Sequence, residues 1–192
     1  MLLDRHLLRP RVATLAWLVG LGCYAAGVGC QMLGELGFMS GLVYRLWYLT
    51  GAFFAAAWLG MGSLHLTPYR GLTTWSGRAL AWASILVTPV VLTSPIDVGL
   101  VDPRQMTGAG FPEYVRLLTP AFNIFGTLAL IGVALRTRRP APLLIAAGAL
   151  VTASGATLLR FGVPGGFYGS QLVGIVLIWL GFAAPTRRPA DG

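Results

Sequence analysis

The chain contains no lysine. A retinal pigment needs a lysine Schiff base, as does imine chemistry on carbonyl substrates, so both classes are excluded. Charge of either sign is scarce: 10% of the residues are charged, against about 25% in an average soluble domain. The chain holds two histidines, His6 and His65, and two cysteines, Cys23 and Cys30. A bis-histidine haem needs both imidazoles at one place inside a bundle, and His6 lies in the polar lead before the first apolar run. No H-E-x-x-H zinc motif and no G-x-S-x-G elbow occurs. Cys23 and Cys30 are seven residues apart on one helix, about 10 Å along its axis and beyond disulfide reach. They read as small packing residues, because two lone thiols do not make a metal site. No cofactor, no metal and no catalytic residue is therefore expected.

What is present is long hydrophobic sequence. Of 192 residues, 56% are hydrophobic, in runs near 12–33, 42–66, 78–96, 118–136, 142–160 and 169–185. A spanning helix needs about 20 apolar residues. Six such helices use most of the chain, so residues 1–192 read as a single integral membrane domain. All 14 basic residues are arginine. Numbering the loops alternately puts ten on one side: Arg5, Arg9, Arg11, Arg70, Arg78, Arg136, Arg138, Arg139, Arg187 and Arg188. The other side holds four: Arg45, Arg104, Arg116 and Arg160. The positive-inside rule then predicts an all-α, six-helix bundle with both termini cytoplasmic. The net charge of +8 sits at the flanks of apolar runs, where it sets orientation and meets anionic headgroups, so no nucleic-acid partner is expected. The first run is too long for a signal peptide and reads as a retained anchor.

Small residues mark packing seams: Gly20, Gly22, Ala26 and Gly29 in the first helix, and Gly51, Ala52, Ala55, Ala56 and Gly60 in the second. Tyr44, Trp47 and Tyr48 suit an interfacial aromatic belt. Thr88-Pro89 and Thr119-Pro120 predict bends. Pro112-Glu113 reads as a helix start after the long loop 97–117. Ala146-Ala147-Gly148-Ala149 faintly echoes Leu49-Thr50-Gly51-Ala52, as three-helix inverted repeats would, but small residues are so common here that chance explains the match better.

The candidate site lies on the arginine-poor side. Arg45 and Arg160, at the outer ends of the second and fifth helices, oppose the orientation rule and need a local reason. Glu35 and Asp97 share that side and are the expected ion-pair partners. Asn123 and Tyr48 add polar groups nearby. Together they would form an outward-opening pocket for an anionic or polar headgroup. The competing reading is that both arginines snorkel to the interface or form structural ion pairs.

The segment Tyr44-Arg45-Leu46-Trp47-Tyr48-Leu49-Thr50-Gly51-Ala52, followed by Ala57-Trp58-Leu59-Gly60 and Gly62-Ser63-Leu64, resembles a stretch recurring in uncharacterised bacterial multi-spanning membrane proteins. The likeness covers mainly the second helix and is looser at the fifth. It implies a bacterial inner-membrane protein, implies no activity, and carries over no functional residue. The leading expectation is a non-enzymatic protein of the bacterial cytoplasmic membrane that binds or moves a small amphiphile or lipid. The alternatives are an accessory subunit with a membrane-protein partner, and a lipid-modifying enzyme using Glu35, Asp97 or Glu113 as acid–base group.

Overall fold

In the computed structural model the chain is helical, with no strand among the described residues. The structure describes residues 3–138, 140–160 and 164–183, with the side chains of 3–11, 105, 156–160, 164, 165 and 167 outside that description. Helix α1 is Leu3–Leu33, α2 occupies Gly41–Leu64, α3 is Arg70–Thr93, α4 is Glu113–Thr137, α5 is Pro140–Arg160 and α6 is Pro164–Ala183. Four described stretches are long and apolar enough to cross a membrane: Val12–Phe38, Gly41–Leu64, Arg70–Thr93 and Glu113–Thr137. Within α5 and α6, which are 21 and 20 residues long, the stretches Pro140–Gly155 and Tyr168–Ala183 are apolar.

Several boundaries differ from the hydropathy pattern. Helix α1 begins at Leu3, so the polar lead before the first apolar run is helical. Helix α3 begins at Arg70 rather than near residue 78. Its first turns, Arg70-Gly71-Leu72-Thr73-Thr74-Trp75-Ser76, are too polar to register as an apolar run, yet they hold helix geometry. The Thr73 hydroxyl supports the turn by donating to the Arg70 carbonyl at 3.0 Å. Helix α4 starts at Glu113, as Pro112-Glu113 predicts. Pro89 and Pro120 both lie inside continuous helices. Beside Pro89, the Thr88 hydroxyl donates to the Ser84 carbonyl at 2.7 Å. It thus adds a side-chain hydrogen bond where the proline removes a backbone donor.

The chain divides into two compact units, Met1–Ala129 and Leu130–Gly192. The division falls within α4, not between α3 and α4, so it does not follow a three-plus-three repeat. In the first unit, close approach runs through glycine. A Cβ on Gly20 would lie 2.8 Å from the Leu59 backbone nitrogen, and one on Gly27 would lie 3.0 Å from the Gly51 Cα. Gly22 and Gly29, expected in the same seam, face open space. The α1–α2 contact therefore uses Gly20 and Gly27, seven residues apart, so that they recur on one helix face. Gly60 meets α4 in the same way: its Cβ would stand 2.6 Å from the Gly126 carbonyl oxygen. Within α2, Tyr48–Phe54 is a wider π-helical stretch, in which the Ala55 amide reaches back five residues to the Thr50 carbonyl. In the second unit, α5 and α6 pack through Gly148 and Gly174, where a Cβ on Gly148 would sit 2.6 Å from the Gly174 carbonyl oxygen.

Candidate functional site

The segment between α3 and α4 is ordered by its own short side chains. Asp97, Asp102 and Thr107 each accept the amide of the residue two positions on, and each opens a 3₁₀ turn. The Asp97 amide donates to the Gly110 carbonyl at 2.9 Å and closes the loop. The closed loop caps the first turns of α2. The Tyr44 hydroxyl donates to the Thr107 carbonyl at 2.5 Å and accepts the Gly110 amide at 3.1 Å. Phe111 stacks on Tyr44 and Tyr48, with ring centroids 4.9 and 4.5 Å away. A Cβ on Gly110 would lie 2.7 Å from the Asp97 carbonyl oxygen, so this turn has no room for a side chain.

Tyr44 and Tyr48 are 0% and 4% exposed, so they form part of the core and not the interfacial belt that their position suggests. The reason is the loop, which lies over them and brings Phe111 between. The Tyr48 hydroxyl shares a 2.8 Å hydrogen bond with the Thr119 hydroxyl. Asn123 donates through Nδ2 to the Ala52 carbonyl at 2.9 Å, within the π-helical stretch, and to the Thr119 carbonyl at 3.3 Å. The wide turn leaves carbonyl capacity that an outside donor can use.

Arg45 reaches α3 rather than a carboxylate. Its Nη2 donates to the Ser94 carbonyl at 2.6 Å, its Nη1 reaches the Gly41 carbonyl at 3.5 Å, and its Nε is buried without a partner. Ser94 also bonds the Tyr114 hydroxyl at 2.9 Å. Glu35 accepts from Gln31 at 3.4 Å, and the Asp97 carboxylate accepts the Gly99 amide at 3.0 Å. The structure thus gathers Arg45, Tyr48 and Asn123 into internal hydrogen bonds, while Asp97 serves its own turn. Arg160 ends α5 in the second unit, and its side chain lies outside the described residues.

A second feature was not singled out by sequence pattern. A cavity of about 640 Å³ lies between α1, the last turns of α2 and the first turns of α3. Val12, Leu15 and Val19 line it from α1, and Trp58 and Met61 from α2. Ala16 and Met61 of this lining are buried, 5% and 1% exposed. Trp17 and Ser63 pin α1 to α2 beside it, with Nε1 3.4 Å from the serine hydroxyl, and the Trp17 indole rests against Gly62. Its polar lining comes from His65, Arg70, Thr73, Thr74 and Arg78. Arg70, Thr74, Gly77, Arg78 and Ala81 share one face of α3 at helical spacing. Among the described residues no carboxylate lines the cavity, and neither arginine forms an ion pair. The signal available in sequence was the recurrence of Arg70, Thr74 and Arg78 every four residues. It is readable only once residues 70–78 are known to be helical. No group of His, Cys, Asp and Glu able to hold a metal occurs among the described residues.

No family model, no curated protein and no solved structure matches the chain.

Proposed function

We propose that this chain is a non-enzymatic, multi-spanning protein of a bacterial cytoplasmic membrane that binds a lipid or other small amphiphile in the cavity between α1, α2 and α3. The observation that carries the reading is the divided lining of that cavity, apolar along α1 and bearing two arginines on α3. An amphiphile has the same division, and pockets of this size suit one acyl chain or a compact ring system. The six-helix topology belongs to the reading as well. The ten-to-four arginine bias then puts the His65–Arg70 end on the cytoplasmic side and the Arg45 end outside. The outer cluster serves better as a structural cap, because Arg45 and Asn123 donate to backbone carbonyls and Tyr48 shares a hydrogen bond with the Thr119 hydroxyl.

Native mass spectrometry of gently extracted protein tests this. The expected result is retention of one amphiphile per chain, lost on Ala16→Trp, which puts an indole on the lining of the cavity. Retention unchanged by that substitution would move the site elsewhere.

An accessory-subunit reading has one observation of its own. Gly22, Ala25 and Ala26 are exposed on α1, and Gly22 and Gly29 have no neighbour within 4 Å of a Cβ position. Small residues on an open face admit a partner helix. Comigration with one defined membrane complex, abolished by Gly22→Leu, would favour it.

A further inference from the structure

We infer that the occupant of the α1–α2–α3 cavity is an anionic phospholipid of the inner leaflet, its phosphate held by Arg70 and Arg78. The inference rests on the amphiphile reading above and assigns the class of ligand. Arg70 opens α3 and Arg78 lies eight residues on, about 12 Å farther along the axis and on the same face. Thr74 stands midway between them on that face and lines the same cavity. Two guanidinium groups spaced along one wall, with a hydroxyl between them, offer donors to a phosphodiester and to the ester oxygens beside it. Guanidinium is the side chain best suited to phosphate, which it can bind through two parallel N–H donors.

Three further features fix the sign and source of the ligand. First, the described polar lining is arginine, histidine and threonine, so a cationic or zwitterionic head would bring an ammonium group against the two guanidinium groups. Second, α3 begins at Arg70, so its unpaired N-terminal amides add to the positive potential there. Third, Val12, Leu15 and Val19 on the α1 wall are each more than 40% exposed, so this wall is open toward the surroundings of the helices. In a bilayer those surroundings are acyl chains. A ligand entering from the side keeps its chain against α1 and Trp58 while its head reaches α3. A free phosphate would use the arginines and leave the apolar wall without a partner.

The test is lipid retention by the full chain in nanodiscs holding equal amounts of phosphatidylglycerol and phosphatidylcholine, read by native mass spectrometry after release. Each arginine near an anionic surface contributes about 1 kcal/mol, so the pair predicts a preference of at least about tenfold for phosphatidylglycerol. Arg70→Gln with Arg78→Gln should bring the ratio near unity while total retained lipid persists, because the apolar wall is intact. Arg104→Gln, in the loop between α3 and α4, should leave the ratio unchanged. Equal retention of both lipids by the unaltered chain would overturn the anionic assignment and leave the amphiphile site standing. Retention of neither would overturn both. A preference that Arg104→Gln abolishes as fully as the paired substitution would show bulk charge, not this cavity, and would also overturn the assignment.

Discussion

The Arg45 guanidinium donates through Nη2 to the Ser94 carbonyl oxygen at 2.6 Å, joining the start of α2 to the end of α3. Ser94 is the residue that closes α3, where unpaired carbonyls concentrate the negative end of the helix dipole. An arginine on the arginine-poor side thereby has a local partner that is neither lipid nor a carboxylate. The same serine holds Tyr114 of α4 through its hydroxyl, so three helices meet at one residue.

Arg45→Gln removes the charge and keeps much of the length. A cation at a partly buried helix C-terminus contributes up to about 2 kcal/mol. In a chain of this size each 1 kcal/mol corresponds to about 2–4 °C in thermal midpoint. The unfolding midpoint in detergent should fall by several degrees for Arg45→Gln and by less for Arg45→Lys, which keeps a charge but loses the fork of donors. An unchanged midpoint for Arg45→Gln would show that this contact contributes nothing.

Hydropathy and charge made the helical, membrane-type character legible because apolar runs and arginine positions are local properties of the sequence. The partners of the outer residues were not legible. Arg45 was expected to seek Asp97 or Glu35 by topology, but Asp97 turns its carboxylate to the Gly99 amide two residues away. That choice depends on a loop conformation without hydrophobic periodicity. Tyr48 was read as interfacial for the same reason: nothing in its own neighbourhood announces that Phe111, some sixty residues on, stacks over it. Arg70 and Arg78 were read as loop and helix edge because polar first turns hide a helix from any apolar window.

Gly20 and Gly22 are neighbours in sequence and opposites in packing. Alanine at Gly20 would press a methyl group to 2.8 Å from the Leu59 backbone, whereas alanine at Gly22 meets nothing within 4 Å. Overpacking of this kind costs about 1–3 kcal/mol. Gly20→Ala should lower the thermal midpoint, and Gly22→Ala should leave it level or slightly raised. The reverse order would mean that α1 contacts α2 through a different face.

Asn123 offers a graded test of the π-helical stretch in α2. Its amide donates to two backbone carbonyls, those of Ala52 and Thr119. Interhelical side-chain hydrogen bonds in membranes contribute about 0.6–2 kcal/mol. Asn123→Ala should therefore cost about 1 kcal/mol. Asn123→Asp should cost more, because an ionised carboxylate has no donor and would face two acceptors. Infrared carbonyl shifts at labelled Ala52 would report the loss in both variants. Equal stability of all three forms would show that the Ala52 carbonyl does not depend on Asn123.

The number of crossings can be decided by three probes in a chain whose Cys23 and Cys30 have been replaced by alanine. Ala109 lies exposed in the loop between α3 and α4. A cysteine there should react with an impermeant maleimide added to intact cells if the bias of ten arginines to four sets the orientation. A cysteine at Ala190 should react only after the membrane is opened. The deciding position is Gly162, between α5 and α6. If these two helices cross, a cysteine at Gly162 is labelled from outside like Ala109. If the pair lies on the cytoplasmic side, it behaves like Ala190. Labelling of Gly162 from outside is the expected outcome, since Arg136, Arg138 and Arg139 before α5 and Arg187 and Arg188 after α6 flank the pair with charge on one side. Protection of Gly162 in intact cells would reduce the chain to four crossings, and labelling at Ala190 without Ala109 would invert it.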